Sequence, residues 1–102
     1  MSRNYIMEPD GSFRPAQLLE WARWFEKAER HVAEDKVGDV RVSTVFLGID
    51  HRFFAGDETD GSRPILFETM IFGDEHDEYQ ERYCTREEAL VGHSRALAMV
   101  QP

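Results

Sequence analysis

The strongest structural signals in this chain are Thr44-Val-Phe-Leu-Gly-Ile-Asp-His51, Leu66-Phe-Glu-Thr-Met70 and Tyr83-Cys-Thr-Arg-Glu-Glu-Ala89. The first two stretches are rich in β-branched and aromatic residues and predict strands, and the third predicts a strand end followed by a helix. Polar groups interrupt these apolar regions at Glu68, His51 and His93. A buried ionisable group is costly unless it has a partner, so a site or a specific structural contact should lie at these positions.

Three segments with a strand pattern form the predicted sheet. The strands are predicted over residues 40–50, 65–72 and 79–84. Turn residues separate them by short connections, and such connections favour an antiparallel meander. A helix is predicted over residues 86–100, because Thr85 and Glu88 have the spacing of a capping box and an apolar stripe follows them. His93 lies on that stripe and should therefore face the protein interior.

A second apolar stripe precedes the sheet and predicts a long N-terminal helix over residues 13–36. Its members recur at three- and four-residue intervals: Leu18, Trp21, Ala22, Phe25, Ala28 and Val32. Ser12 is the predicted N-cap, and Pro15 has the fixed φ that a first helical turn tolerates. Residues 1–11 show no sustained period and are predicted to be a loosely structured arm. The predicted fold is α+β, with a three-stranded antiparallel sheet flanked by the two helices.

Length and composition set the class of protein. A chain of 102 residues with 41% hydrophobic content is expected to form a single domain over residues 1–102. The longest apolar runs are too short to span a membrane, and without a secretory signal pattern we expect an intracellular location. The single cysteine, Cys84, excludes an intramolecular disulfide and a thiolate metal cluster. We expect Cys84 to be a small, half-buried side chain at a strand end rather than a nucleophile.

The net charge of −8 is concentrated in one part of the chain. Residues 50–88 carry twelve acidic and four basic residues, and the rest carries eight of each. This distribution argues against direct nucleic-acid binding, which requires a cationic face, and favours a basic protein partner. The candidate partner-binding residues are Asp57, Glu58, Asp60, Asp74, Glu75, Asp77 and Glu78. The alternative is that these acidic turns are simply solvated and keep the protein soluble.

The buried polar residues have two competing interpretations. In the first, Glu68 and His93 form a charge-assisted hydrogen bond between the sheet and the last helix, a structural polar pair. In the second, His51, Glu68 and His93 converge as a general acid/base set or as ligands of zinc or iron. Nothing in their spacing shows convergence, so no metal, cofactor or catalytic residue is predicted. The acidic turn at residues 74–78 lacks the ligand series of an EF-hand and is not predicted to be a metal site.

The chain also resembles a family of small uncharacterised proteins encoded by phages and prophages of actinobacteria. The resemblance lies in Val42-Ser-Thr-Val-Phe-Leu-Gly-Ile-Asp-His51, Leu66-Phe-Glu-Thr-Met-Ile-Phe-Gly73 and Arg82-Tyr-Cys-Thr-Arg-Glu-Glu-Ala-Leu-Val-Gly-His93. It covers residues 21–95 and implies a phage-derived protein acting in the bacterial cytoplasm. Cys84 stands where the family usually has serine, which argues against a thiol mechanism, and the turn after His51 is longer than usual.

These observations predict a small acidic binding protein rather than an enzyme. We expect it to bind, and to inhibit, a host protein that has a basic surface. One alternative is a small enzyme or metal-binding protein that uses His51, Glu68 and His93. The other is an accessory protein that only self-associates, because a three-stranded sheet leaves two edges at which a homodimer could form.

Overall fold

The computed structural model describes residues 3–52 and 63–101. This part of the chain has an α+β fold, as predicted. The helices are α1 (Leu18–Lys27) and α2 (Arg86–Val100). The strands are β1 (Tyr5–Met7), β2 (Phe13–Pro15), β3 (His31–Val37), β4 (Val40–Phe46), β5 (Phe67–Phe72) and β6 (Gln80–Tyr83). No helix in these two ranges is long and apolar enough to cross a membrane.

The main sheet is an antiparallel meander with the order β3-β4-β5-β6. The prediction of three strands is wrong, because β3 lies almost entirely within residues 13–36, where the sequence predicts a helix. That helix ends at Lys27 instead of residue 36. The turn Gly38-Asp39 joins Val37 directly to Val40, and the φ of 61° at Gly38 suits a tight hairpin turn. Pairing β3 with the buried strand β4 satisfies backbone groups that a helix would leave unpaired on β4, and this outweighs local helix propensity.

Residues 1–11 do not form the predicted arm in the part that is described. Strands β1 and β2 form an antiparallel hairpin, and the N–H of Tyr5 donates to the carbonyl of Gly48 beyond the end of β4. Ser12 does not cap a helix, since its backbone N–H and hydroxyl both donate to the Asp10 carboxylate in the hairpin turn. Pro15 ends β2, and α1 begins only after Gln17.

Helix α2 has the bounds that the sequence predicts. The Thr85 hydroxyl accepts from the Glu88 N–H at 3.1 Å, and the Glu88 carboxylate accepts from the Thr85 N–H at 3.0 Å, which confirms the capping box. The helix lies across one face of the main sheet and contacts all four strands. Gly92 makes this packing possible, because a Cβ atom there would lie 2.0 Å from the hydroxyl oxygen of Tyr83. Cys84 is half-buried just beyond β6, as expected.

Helix α1 lies at one end of the sheet rather than across it. It packs mainly on β1, and Trp24 makes an edge-to-face contact with Phe46 at the end of β4. The rings of Trp21 and Phe25 pack on Gly48, which has a φ of 79° and no side chain to obstruct them. None of the α1 residues is fully buried. The helix therefore has an outward face that the rest of the described chain does not cover.

Candidate functional site

His93 is the centre of a buried polar network between α2 and the main sheet. Its Nδ1 atom lies 2.8 Å from the Thr44 hydroxyl oxygen, which lies 2.5 Å from the hydroxyl oxygen of Thr69. On the other side of the ring, Nε2 lies 2.8 Å from a carboxylate oxygen of Asp35 on β3. A neutral imidazole satisfies all three contacts when Thr69 donates to Thr44, Thr44 donates to Nδ1 and Nε2–H donates to Asp35.

The order carboxylate, imidazole and hydroxyl resembles that of a catalytic triad. A nucleophilic hydroxyl must be accessible to its substrate. Thr44 and Thr69 are both 0% exposed, so neither hydroxyl is accessible. The only exposed member is Asp35, whose side chain is about half exposed and lies at the end remote from the hydroxyls. The network therefore fits a structural role, holding α2 on β3, β4 and β5.

Glu68 lies on the opposite face of the sheet from His93. Side chains alternate along a strand, so Glu68 faces away from the neighbouring Thr69 that belongs to the His93 network. Its carboxylate accepts from Gln80 at 2.5 Å and from the Arg82 guanidinium at 3.0 Å, both on β6. Both predicted residues are buried, at 7% and 5% exposure, but the predicted Glu68–His93 pair is wrong. Each group is satisfied by neighbours on its own face.

Asp50 and His51 form a third polar group, at the point where the chain leaves β4. The Asp50 carboxylate, 1% exposed, accepts from the N–H groups of Arg52 and Ile65 and from the Arg52 guanidinium at 2.6 Å. Burial disfavours the charged form of Asp50, but these donors outweigh burial and hold its pKa below its ordinary value. His51 Nδ1 lies 2.7 Å from the Ile49 carbonyl oxygen, to which it donates.

The proposed convergence of His51, Glu68 and His93 is therefore not formed. His51 contacts the Ile49 carbonyl, and Glu68 contacts side chains of β6. His93 contacts side chains of β3 and β4. Within residues 3–52 and 63–101, no three potential metal ligands of the His, Cys, Asp or Glu types come together. The enzyme or metal interpretation loses the geometry on which it depended.

Sequence reasoning missed three members of the His93 network: Asp35, Thr44 and Thr69. Asp35 lies within residues 13–36, where a helix is predicted, and this prediction hid its position on a strand. The available signal was the Gly38-Asp39 dipeptide between valine-containing segments, which is typical of a hairpin. Once β3 and β4 are paired across that turn, Asp35 lies directly opposite Val42.

The acidic residues of the β5–β6 connection lie together at one end of the sheet. Gly73 begins this connection, and its N–H donates to the Asp77 carboxylate at 2.6 Å. Glu75, Asp77 and Glu78 are exposed, and a carboxylate oxygen of Glu75 lies 3.7 Å from Nε2 of His76. Exposed Asp39 lies in the adjacent β3–β4 turn, where its carbonyl oxygen packs against Gly73. We call Asp39, Glu75, Asp77 and Glu78 the acidic end of the sheet.

Part of the predicted acidic surface cannot be compared with this arrangement. Three of its residues lie outside the described part of the chain: Asp57, Glu58 and Asp60. The side chain of Asp74 is not described either, although its backbone begins a short 3-10 turn over Asp74–His76. Asp39 was not predicted to belong to the surface. It is brought there by the β3–β4 hairpin.

No protein-family model, curated protein or solved structure matches this chain. The resemblance to the phage family therefore stays a prediction based on its three motifs. The functional argument depends on the geometry described above.

Replacing Asp50 tests the role of its buried carboxylate. We expect Asp50→Asn to lower the free energy of unfolding at pH 7 by about 2 kcal/mol, since hydrogen bonds to a charged group are lost. Because the folded-state pKa of Asp50 is lowered, its contribution is present above the unfolded pKa and is lost as the pH falls through the folded pKa. The stability difference between wild type and Asp50→Asn should therefore shrink in acid.

Urea unfolding at neutral and acidic pH measures this difference. Asp39→Asn is the matched control, because Asp39 is exposed in a turn and should change stability little at either pH. A difference that does not change as the medium becomes acidic would contradict the assignment of the effect to the Asp50 carboxylate.

Proposed function

We propose that this protein is a small binding domain whose acidic end engages a basic surface on a partner protein. The observation that carries the proposal is that two neighbouring turns present four carboxylates at one end of the sheet. Helix α2 packs across one face of this sheet and supports it. Two turns fixed by strand pairing present their charges with little loss of conformational freedom on binding. The resemblance to phage proteins suggests that the partner belongs to an actinobacterial host and that binding inhibits it.

The charge balance at the acidic end supports this proposal. Glu78 and Asp39 have no ion pair or side-chain hydrogen bond within the described chain, so their carboxylates are available to an external cation. The neighbouring Arg41 is already engaged, with its guanidinium 3.0 Å from Glu34 and 4.5 Å from the centre of the Phe72 ring. A surface of this kind steers the encounter with a basic partner, most strongly at low ionic strength.

The buried polar networks support a binding domain in a different way. The His93 network and the contacts of Glu68 with Gln80 and Arg82 fix the two faces of the sheet, and the hydroxyls of Thr44 and Thr69 are fully buried. Two shallow cavities of about 210 and 290 Å³ lie beside the turn at Asp10 and Gly11, where Arg86 crosses the hairpin. These cavities lie away from His51, Glu68 and His93, so none of the predicted catalytic residues lines them.

The test is a pull-down from an actinobacterial lysate at low salt with wild type and a double variant, Glu75→Gln with Glu78→Gln. We expect the variant to recover about tenfold less of the partner, because two charge contacts of ordinary strength are lost. Recovery by the wild type should also fall as salt is added. The melting temperature should stay the same, since both side chains are exposed.

The matched control is Glu29→Gln with Glu87→Gln, which changes the net charge equally. Both residues are exposed and lie away from the acidic end. Glu29 precedes Arg30, whose guanidinium donates to the Phe46 carbonyl at the other end of β4. Glu87 lies in the first turn of α2. A protein that is recovered by wild type and control but lost by the acidic-end variant supports the proposal. Equal recovery of the partner by wild type, acidic-end variant and control would refute the proposal. Recovery by the wild type that does not change with salt concentration would refute it too.

A further inference from the structure

Strand β3 lies at one edge of the main sheet, with β6 at the other edge. It has seven residues, and its central residues Glu34, Asp35 and Lys36 are all exposed. Apart from the pairing with β4, no backbone group of residues 32–37 bonds to another residue of the described chain. The free side of β3 therefore offers unpaired backbone groups to an added strand. We call it the β3 edge.

The register of the main sheet shows which backbone groups lie on the β3 edge. The N–H of Leu47 donates to the carbonyl of Leu66, which continues the β4–β5 register, so odd-numbered residues of β4 bond to β5. Successive residues of an inner antiparallel strand bond to opposite neighbours, so even-numbered residues of β4 bond to β3. They lie opposite odd-numbered residues of β3. The N–H and C=O groups of Glu34 and Lys36 consequently point outward along the β3 edge.

Lys36 indicates what kind of strand the β3 edge fits. Its ammonium group has no ion pair within the described chain, and its cross-strand neighbour on β4 is Arg41, which has the same charge. Glu34 lies on the same face of the sheet and pairs with Arg41 at 3.0 Å. An added strand that sets an acidic residue opposite Lys36 and a basic residue opposite Glu34 would complement this edge.

We infer that the β3 edge is a homodimer contact, in which two copies of β3 pair antiparallel about a two-fold axis at Asp35. In this register Glu34 of each copy lies opposite Lys36 of the other, so opposite charges meet on both sides of the axis. These are also the residues whose backbone groups point outward, and each such pair exchanges both of its N–H···O bonds. On the face that carries α2, half-buried Ala33 of each copy lies opposite half-buried Val37 of the other. The charges and backbone groups of the β3 edge therefore complement those of a second copy.

The two Asp35 carboxylates meet at the axis and oppose the contact, because like charges directly opposite destabilise a strand pair. Each carboxylate accepts from Nε2 of His93 at 2.8 Å, and its side chain is about half exposed. Asp35→Asn removes the repulsion and keeps an oxygen that can accept from His93. We expect this change to strengthen the dimer roughly threefold.

The form of the sheet limits the contact to a weak dimer. The bulge between His31 and Ala33 ends the regular part of the β3 edge and leaves residues 33–37 for pairing. The contact is isologous and uses the β3 edge of both copies, so it does not propagate into a fibre. So short a strand pair buries less than the ~1,200 Å² of a standard stable interface, and we expect the dimer to dissociate on dilution. The antiparallel arrangement points the two acidic ends in opposite directions, so it is compatible with binding there.

The experiment is analytical ultracentrifugation of the full chain over a wide range of concentration. We expect wild type to show a monomer–dimer equilibrium. Glu34→Lys and Lys36→Glu should each weaken the dimer at least about tenfold, because each sets like charges opposite one another on both sides of the axis. An equimolar mixture of the two variants should recover the dimer, since every pair between positions 34 and 36 then joins opposite charges.

Arg95→Glu is the matched control, because it reverses one positive charge just as Lys36→Glu does. Arg95 is exposed on α2, and its charge acts on Tyr83 of β6, at the other edge of the sheet. The control should therefore change the dimer little. All of the substituted side chains are exposed, so the melting temperature should stay close to that of wild type.

Amide hydrogen exchange gives an independent readout of the contact. The N–H groups of Glu34 and Lys36 are bonded in the dimer, so they should exchange more slowly at high protein concentration than at low concentration. A wild type that stays monomeric at every concentration, or a mixture of the charge variants that does, would overturn the inference. A dimer in which these two amides stay unprotected, or one that Arg95→Glu also abolishes, uses another surface and would overturn it too. None of these outcomes depends on whether the acidic end binds a partner.

Discussion

Gly92→Ala should destabilise the protein by at least ~3 kcal/mol. In an ordinary helix interior, by contrast, replacing glycine with alanine stabilises the helix by about 1 kcal/mol. The reason is that α2 packs directly on Tyr83 at residue 92. A Cβ atom at residue 92 would lie 2.0 Å from the Tyr83 hydroxyl oxygen and 2.1 Å from the ring carbon that carries it. The aromatic ring itself cannot bend, and burial raises the pKa of Tyr83 to about 12. Either the Tyr83 side chain or the helix would have to move, and both changes disrupt the packing of α2 on the sheet.

Urea unfolding measures this loss, with Ser94→Ala as the control on the exposed side of the same helix. Should Gly92→Ala fail to fold, the double variant Gly92→Ala with Tyr83→Ala provides the test, because removing the ring removes the clash. We expect the double variant to be more stable than Gly92→Ala alone. A Gly92→Ala protein as stable as wild type would show that α2 does not pack on Tyr83 in this way.

His93→Ala should lower the free energy of unfolding by about 3 kcal/mol, because it leaves a cavity and deprives the buried Thr44 hydroxyl of its acceptor. Thr44→Val, which keeps the shape of the side chain, should cost about 2 kcal/mol, since Nδ1 of His93 and the Thr69 hydroxyl lose their shared partner. The two changes together should cost less than the sum of the separate losses, because both act on one network.

The combination of Glu68→Ala with His93→Ala is the matched control for that coupling. Both residues are buried, but they lie on opposite faces of the sheet and share no partner. Their losses should therefore add within about 0.5 kcal/mol in urea unfolding at neutral pH. Coupling between Glu68 and His93, or strict additivity between Thr44 and His93, would contradict the arrangement of the networks.

Much of the fold could be predicted because its signals are local. The bounds of α2 follow from the capping box at Thr85 and Glu88, in which each side chain satisfies a backbone donor a few residues away. The alternation along β5 likewise predicts that Glu68 and Thr69 point to opposite faces. The burial of His93 follows from its place on the apolar stripe of α2. None of these features needs information from elsewhere in the chain.

The second half of the predicted N-terminal helix shows where local reasoning failed. The spacing of Ala28 and Val32 continues the helical stripe, yet the chain leaves the helix after Lys27 and forms β3. The segment is ambiguous by itself, and it becomes a strand because β4 offers it a row of backbone partners. The error carried over to the site, since Asp35 on a helix could not have been expected to meet His93.

The sequence by itself determined that Glu68 and His93 would be buried, the limits of α2 and the positions of β4, β5 and β6, because periodicity and capping act over a few residues. Only the tertiary structure decided the partners: Asp35 and Thr44 for His93, Gln80 and Arg82 for Glu68, and Arg52 and Ile65 for Asp50. A buried polar group requires some partner, but which one it finds depends on strand register and on the face to which each element turns. Those are properties of the assembled sheet.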